Sequence, residues 1–300
     1  MSTRREFLLA TAALGASMNV KAQKKREIVD AQIHLWKADA PELPWTPGAK
    51  PQMPEPFTHE KAIALMDEGG VDRAVIVTPA LLGANNSYSL EAVRRHPSRF
   101  AVMGRIAQAS PEAAAGFAKW KEQPGMLGVR VSFLGPSAKQ LQDGSADWIW
   151  APAEKAGLPV MFLTAANSAY FGRVAERHPQ LALICDHMGV AGEAKASGRR
   201  DEAFQQALAL AKHPNVSVKL SAIPNFSDED YPFRDTVPYL RRLVDAFGAR
   251  RCYWGTDITN SFARATWRQR IEQFNELAFL SEEDKDWIMG RGIRSKLGWA

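Results

Sequence analysis

Eight short apolar runs, rich in β-branched residues, recur along this chain at roughly regular intervals, and most are followed by a stretch whose hydrophobic residues keep helical spacing. Strands covered on both faces read as continuous hydrophobic runs, and alternation with helices is the pattern of βαβ units in a parallel sheet. The runs are Ile28 to His34, Ala74 to Thr78, Phe100 to Ile106, Leu127 to Phe133, Pro159 to Thr164, Leu181 to His187, Val216 to Ser221 and Cys252 to Asp257. Helices are expected over His59 to Glu68, Ser89 to His96, Asp147 to Ala156, Ala169 to Arg177, Asp201 to Lys212, Val237 to Phe247 and Ala265 to Leu277, with a last piece around Glu282 to Met289. Another should open at Ser110-Pro111-Glu112, an N-cap followed by a proline at the first helical position.

A chain of 300 residues holds one eight-stranded α/β barrel of about 250 residues plus extras. The rival architecture, an open doubly wound sheet, calls for a glycine-rich phosphate turn after an early strand, and none is present. The reading is therefore one (β/α)8 TIM-barrel domain of the α/β class over residues 23–300. Between the first run and the first helix, Lys37 to Phe57 carries Pro41, Pro44, Pro47, Pro51, Pro54 and Pro56. So many prolines exclude helix and central strand, and the segment is expected to cover a substrate site.

Residues 1–22 read differently. Thr3-Arg4-Arg5-Glu6-Phe7-Leu8 precedes a mildly apolar, alanine-rich stretch and then Val20-Lys21-Ala22, a small-residue cleavage pattern. This is the layout of a twin-arginine signal peptide, which implies the twin-arginine export machinery as a partner and a periplasmic location. The apolar stretch is too short and too weak for a stable membrane anchor. The formal charge is +5, and with no basic stripe interleaved with aromatics, nucleic acid is not an expected partner. Cys185 and Cys252 lie in apolar runs and read as buried thiols.

In an α/β barrel the working side chains sit where strands end, and residues of one parity point inward. By that count Asp30, Gln32 and His34 share a side of the first strand, Arg130 and Ser132 of the fourth, Cys185 and His187 of the sixth, Lys219 and Ser221 of the seventh, and Gly255 and Asp257 of the eighth. His34, Arg130, His187, Lys219 and Asp257 should thus converge, with Asp186 of opposite parity facing the helices.

The segments Asp30-Ala-Gln-Ile-His34-Leu-Trp36, Gly128-Val-Arg130, Asp186-His187-Met-Gly189, Val218-Lys219-Leu-Ser221, Tyr231-Pro-Phe and Trp254-Gly-Thr-Asp257 follow one another in the order found in the amidohydrolase-related TIM-barrel family. The chain resembles the branch that holds 2-pyrone-4,6-dicarboxylate lactonase and sugar-acid lactonases such as L-fuconolactonase. That resemblance implies a hydrolase whose small-molecule substrate is a lactone or cyclic carboxylate. Asp257 would act as general base on water, His187 and His34 would polarise the carbonyl with Lys219 adding positive charge, and Arg130 would fork onto a carboxylate. Gln32, Trp36 and Ser221 complete the expected substrate contacts.

The chain also departs from the family. Gln32 stands where the family usually has the first histidine of His-x-His, and the fifth strand ends Phe162-Leu163-Thr164 without a metal ligand. No cofactor is required in this reading. The alternative is one divalent cation, zinc or manganese, on His34, His187 and Asp257, in a metal-dependent amidohydrolase or a decarboxylase of aromatic or cyclic acids. A third reading is a non-catalytic binding barrel. The oligomeric state is not legible.

Overall fold

A computed structural model describes residues 25–300. Residues 1–22, read from the sequence as a signal peptide, therefore lie outside the described residues. Eight strands run in sequence order around one parallel sheet: β1 (Val29–Ile33), β2 (Arg73–Val77), β3 (Phe100–Arg105), β4 (Met126–Phe133), β5 (Val160–Thr164), β6 (Leu183–Cys185), β7 (Val216–Leu220) and β8 (Cys252–Trp254). Past the end of β8 the seam to β1 is closed by a backbone bond, Asp257 N–H donating to the Gln32 carbonyl at 2.9 Å. The chain is a single-domain (β/α)8 barrel.

Two apolar layers hold it together. Inside the barrel, Val29, Ala31, Val75, Val77, Met103, Met161, Ile184 and Tyr253 pack with Ile293 and Leu297 of the last helix, Gly292–Leu297. Residues of the other parity, among them Ala74, Ile76, Val129, Val131 and Leu220, meet the surrounding helices. The helices Ala169–Arg177 and Val237–Phe247 fall where the hydrophobic spacing puts them.

The segment opened by Ser110 departs from expectation. Pro111–Glu122 is a 3-10 segment, and Ser110 makes no side-chain cap. Phe117 is its one buried residue, so it lacks the apolar stripe whose packing stabilises a surface α-helix.

Parity also fails at two strands, for local reasons. The β1–β2 register shifts between Asp30 and Ile33. Asp30 is thereby turned outward: its carboxylate accepts from Trp267 Nε1 of the helix Trp267–Asn275 at 2.7 Å, Thr256 N at 2.8 Å and Gln32 N at 2.9 Å. Asp30 is thus a clasp on the β8–β1 seam and not a neighbour of Gln32 and His34 in the pocket. Gly255 belongs to the same seam, because a Cβ there would stand 3.1 Å from Gln32 N.

β6 is shorter than expected and stops at Cys185. Asp186 is still extended, but His187 has φ of 53° and Met188 of 58°. A left-handed turn of two non-glycine residues breaks the alternation, so Asp186 and His187 both serve the barrel mouth. The expectation that Asp186 faces the helices is corrected by its partners, described below. Asp257 likewise sits at φ 50°, one step past the Gly-Thr that follows β8.

The proline-rich segment has no helix and is pinned by an isolated bridge between Trp36 and Phe57. Its Gln52 reaches the barrel mouth and accepts from the Thr259 hydroxyl. Cys185 and Cys252 are free, buried thiols. Among the described residues no helix is long and apolar enough to cross a membrane.

Candidate active site

A cavity of about 790 Å³ opens where the strands end. Its floor is formed by His34, His187 and Asp257, its β3–β4 wall by Arg105, Arg130 and Ser132, and its far side by Gln52, Asn225 and Asn260.

Asp257 is the centre of the floor. Its Oδ1 lies 3.3 Å from His34 Nε2 and its Oδ2 3.7 Å from His187 Nε2, while Asn260 Nδ2 donates to Oδ2 at 2.5 Å. Oδ1 is buried and has no hydrogen-bond partner. Burial raises the pKa of this carboxyl, but the charge of His187 and the bond from Asn260 work against it, and the group sits below the ordinary carboxylate value. An ionised carboxylate lining a polar cavity has the chemistry to take a proton from water.

Each histidine is held by the ring nitrogen remote from Asp257. His34 Nδ1 is 2.7 Å from the Val77 carbonyl of β2, and His187 Nδ1 is 2.8 Å from the Ser221 hydroxyl. Burial lowers the pKa of His187, with the charges of Asp257 and Asp186 opposing.

Beneath the floor lies a buried polar layer. Lys219 Nζ is 2.8 Å from Asp186 Oδ1 and donates to Gln32 Oε1 at 2.5 Å, and Gln32 Nε2 stands 3.2 Å from His34 Nε2. Asp186 Oδ2 takes the Arg130 guanidinium at 3.3 Å. Burial pushes the Asp186 pKa up, but Lys219 and Arg130 more than reverse this and leave it lowered. Asp186 is thus the counter-ion of two cations.

Of the residues expected to act, His34, His187, Asp257 and Arg130 line the cavity. Lys219 does not: it is fully buried, so its charge is spent on Asp186 and it reaches no substrate. Gln32 and Ser221 are also fully buried and orient the two histidines. Trp36, expected to touch substrate, is packed against Phe57 at a centroid distance of 6.2 Å, outside the cavity lining. It follows β1 by three residues, where the chain has already turned under the proline-rich segment.

Sequence reading missed Arg105. It ends β3, lines the cavity and donates to Ser132 Oγ at 3.4 Å, the same hydroxyl that Arg130 reaches. Burial, then the charge of Arg130, lowers its pKa to about 9, which leaves it cationic near neutral pH. An arginine as the last residue of a strand was the available signal, and the expected run passed over it to Ile106. Asn260 and Gln52 come from loops, where no periodicity points to them.

A barrel with a carboxylate and two imidazoles at the C-terminal ends of its strands defines a class of α/β-barrel hydrolases. The family model described as Amidohydrolase matches residues 29–292, and the chain belongs to that family. It is similar to an L-fucono-1,5-lactonase of Burkholderia ambifaria, 28% identical over 76% of this chain and 79% of that protein. It is also 29% identical to a 4-sulfomuconolactone hydrolase of Hydrogenophaga intermedia, over 77% of this chain and 74% of the relative. Among solved structures, one described as a probable 2-pyrone-4,6-dicarboxylic acid hydrolase of Acinetobacter baumannii, with citric acid bound, superposes with a TM-score of 0.71 at 19% identity, covering 91% of this chain and 100% of the other. An amidohydrolase of Burkholderia multivorans with bound zinc gives 0.75 at 18% identity, over 91% and 99%. At such identities these two structures speak to the fold alone.

Proposed function

We propose that this hydrolase of the amidohydrolase superfamily opens a lactone that carries an anionic group, with Asp257 as the general base. The observation that carries the reading is the Asp257 carboxylate, held ionised, lining a cavity walled by Arg105 and Arg130. Arg105 has no carboxylate among its hydrogen-bond partners, and Arg130 shares Asp186 with Lys219. The wall is therefore electropositive, and a planar fork suits a substrate carboxylate or sulfonate. The names of the lactonase and lactone-hydrolase relatives support the same substrate class.

In this reading a water held at the Asp257 carboxylate attacks the ring carbonyl as the carboxylate takes one of its protons. The new C–O bond pushes the carbonyl pair onto oxygen, where the Nε2–H of His187 donates and Ser221 holds the other ring nitrogen. Collapse breaks the ring C–O bond, and the proton on Asp257 passes to the departing alkoxide. Water has been added across the ester, and the enzyme returns to its starting state.

A metal-assisted route fits the residues less well. His34, His187 and Asp257 do converge, but Gln32 Nε2 faces the lone pair that His34 would give to a cation. Among the described residues, no three side chains of His, Cys, Asp and Glu are grouped closely enough to hold a metal ion.

Export is the second part of the proposal. The twin arginines Arg4 and Arg5 ahead of Phe7-Leu8 support delivery of the folded enzyme to the periplasm with removal of residues 1–22. Fractionation of cells making the full chain and its Arg4→Lys/Arg5→Lys variant tests this, and an unchanged distribution would refute it.

The activity is tested with a panel of neutral and anionic lactones, from sugar-acid lactones to pyrone carboxylates, monitored by acid release. Turnover of an anionic member that is abolished by Asp257→Asn supports the reading. Binding of such a lactone without turnover in the native protein would instead favour the non-catalytic barrel.

A further inference from the structure

We propose that Lys219 and Gln32 lock His34 in a single neutral tautomer, protonated at Nδ1, and occupy the Nε2 lone pair that a metal ion or a second proton would need.

The argument starts from a group with no choice of role. An ammonium only donates. Lys219 Nζ stands 2.5 Å from Gln32 Oε1, so the oxygen of that amide faces lysine and its NH2 faces His34. The orientation of a glutamine amide is otherwise ambiguous. Here the reverse orientation would bring an NH2 against an ammonium in a fully buried site. Gln32 Nε2 lies 3.2 Å from His34 Nε2, and an amide NH2 only donates, so the imidazole Nε2 accepts. On the other side of the ring the Val77 carbonyl, 2.7 Å away, only accepts, so Nδ1 donates. One protonation state satisfies Gln32 and Val77 together. A proton on Nε2 would set two donors face to face.

The lock explains the orphan oxygen. Asp257 Oδ1 lies 3.3 Å from His34 Nε2, close enough for an ion pair, yet it has no hydrogen-bond partner. Both facing atoms are acceptors. His34 thus fixes the shape of the floor without quenching the carboxylate, and the sequence expectation that it polarises the carbonyl is set aside. His187 differs, because its Nδ1 partner is the Ser221 hydroxyl, which can donate or accept. That ring is free to hold its proton on either nitrogen. Gln32 and Lys219 are positioning residues: Gln32 touches His34, and Lys219 acts one step further out, through Gln32.

The inference bears on the site of the proposed reaction but is read without substrate, so its failure and that of the lactone reading are separable. Long-range proton–nitrogen NMR on protein labelled at the histidine ring nitrogens, with His34 assigned through His34→Gln, reports the tautomer directly. The expected result is a neutral ring with its proton on Nδ1. Equilibrium dialysis against zinc and manganese should leave no stoichiometric, His34-dependent metal on the native protein. In Gln32→Ala the Nε2 lone pair is released, so the ring should no longer be held to one tautomer and His34-dependent zinc affinity should rise about tenfold or more. An Nε2–H or doubly protonated ring in the native protein would overturn the proposal, as would His34-dependent zinc bound to it at one equivalent. Should Gln32→Ala not fold, the two measurements on the native protein decide alone.

Discussion

Asp186 and Lys219 face each other at 2.8 Å, both wholly buried beneath the cavity floor. Arg130 shares the same carboxylate from the cavity side, so one anion neutralises two cations. Removing it leaves both charges in a site that water does not reach. Asp186→Asn should cost about 3–5 kcal/mol of stability, the range for breaking a buried ion pair. Denaturant unfolding of Asp186→Asn, Lys219→Gln and the double variant forms the cycle that measures it, and the double variant should recover part of the loss. A loss under about 1 kcal/mol in the single variant would contradict the pairing.

Asp257→Asn is nearly isosteric and keeps an oxygen for Asn260, so the floor should survive. Loss of the base should lower kcat/KM by about 10²–10⁴-fold on an anionic lactone, with binding of a non-hydrolysed analogue little changed. Stopped-assay kinetics together with calorimetric binding separate the two effects. Equal losses in binding and turnover would point to a structural role for Asp257.

Much of this was legible beforehand because a barrel writes its residues in order. Two helix boundaries matched, and Asp257, His187, His34 and Arg130 reached the cavity, since strand-end position is encoded by apolar runs that a sequence displays. Asp186 and Asp30 were misplaced because parity assumes an unbroken pleat. A register shift in β1 and a left-handed turn after β6 each displace it by one residue, and neither leaves a glycine as a marker. Trp36 and Lys219 were misassigned for a different reason. Residue type suggested a contact, but reach into the cavity depends on depth along the strand, which periodicity does not give.

Arg105 and Arg130 converge on Ser132, and that pair should select charged substrates. Arg105→Gln should raise KM for an anionic lactone about 10- to 100-fold, the equivalent of one charge-assisted hydrogen bond. KM for a neutral lactone of similar size should move little. Arg130→Lys is expected to fail similarly despite its retained charge, since lysine cannot fork between Asp186 and a ligand. Comparable losses on neutral and anionic substrates would remove the argument for an anion-binding wall.

Arg270 acts chiefly through backbone, with one further bond to the Ser261 hydroxyl at 3.0 Å. It is buried and donates to the carbonyls of Thr256 at 3.0 Å, Ser261 at 2.8 Å and Ala265 at 3.0 Å, clamping the loop that carries Asp257. Replacing it with methionine orphans three buried carbonyls, at about 1–3 kcal/mol each before relaxation. Arg270→Met should therefore lower both kcat and stability, whereas a surface arginine such as Arg241 changed to methionine should alter neither. Activity retained in full by Arg270→Met would show that the left-handed turn at Asp257 needs no clamp.

Acid should weaken the fold in two stages. Burial lowers the pKa of His187, and likewise of His59 and His213, below the ordinary imidazole value. Below about pH 6.5 the unfolded chain then binds protons that the folded chain refuses, so stability falls with pH until the folded values are passed. Asp257 and Asp186 have depressed values, so the stability they add is full above about pH 3.9 and is lost as pH falls through their folded values. Asp30, raised first of all by burial, works in the opposite sense over its own window, with stability falling as pH rises. Urea midpoints should decline from about pH 7.5 to pH 5, and His187→Gln should flatten that decline. A midpoint that rises on acidification across this range would show that the buried histidines are protonated in the folded enzyme.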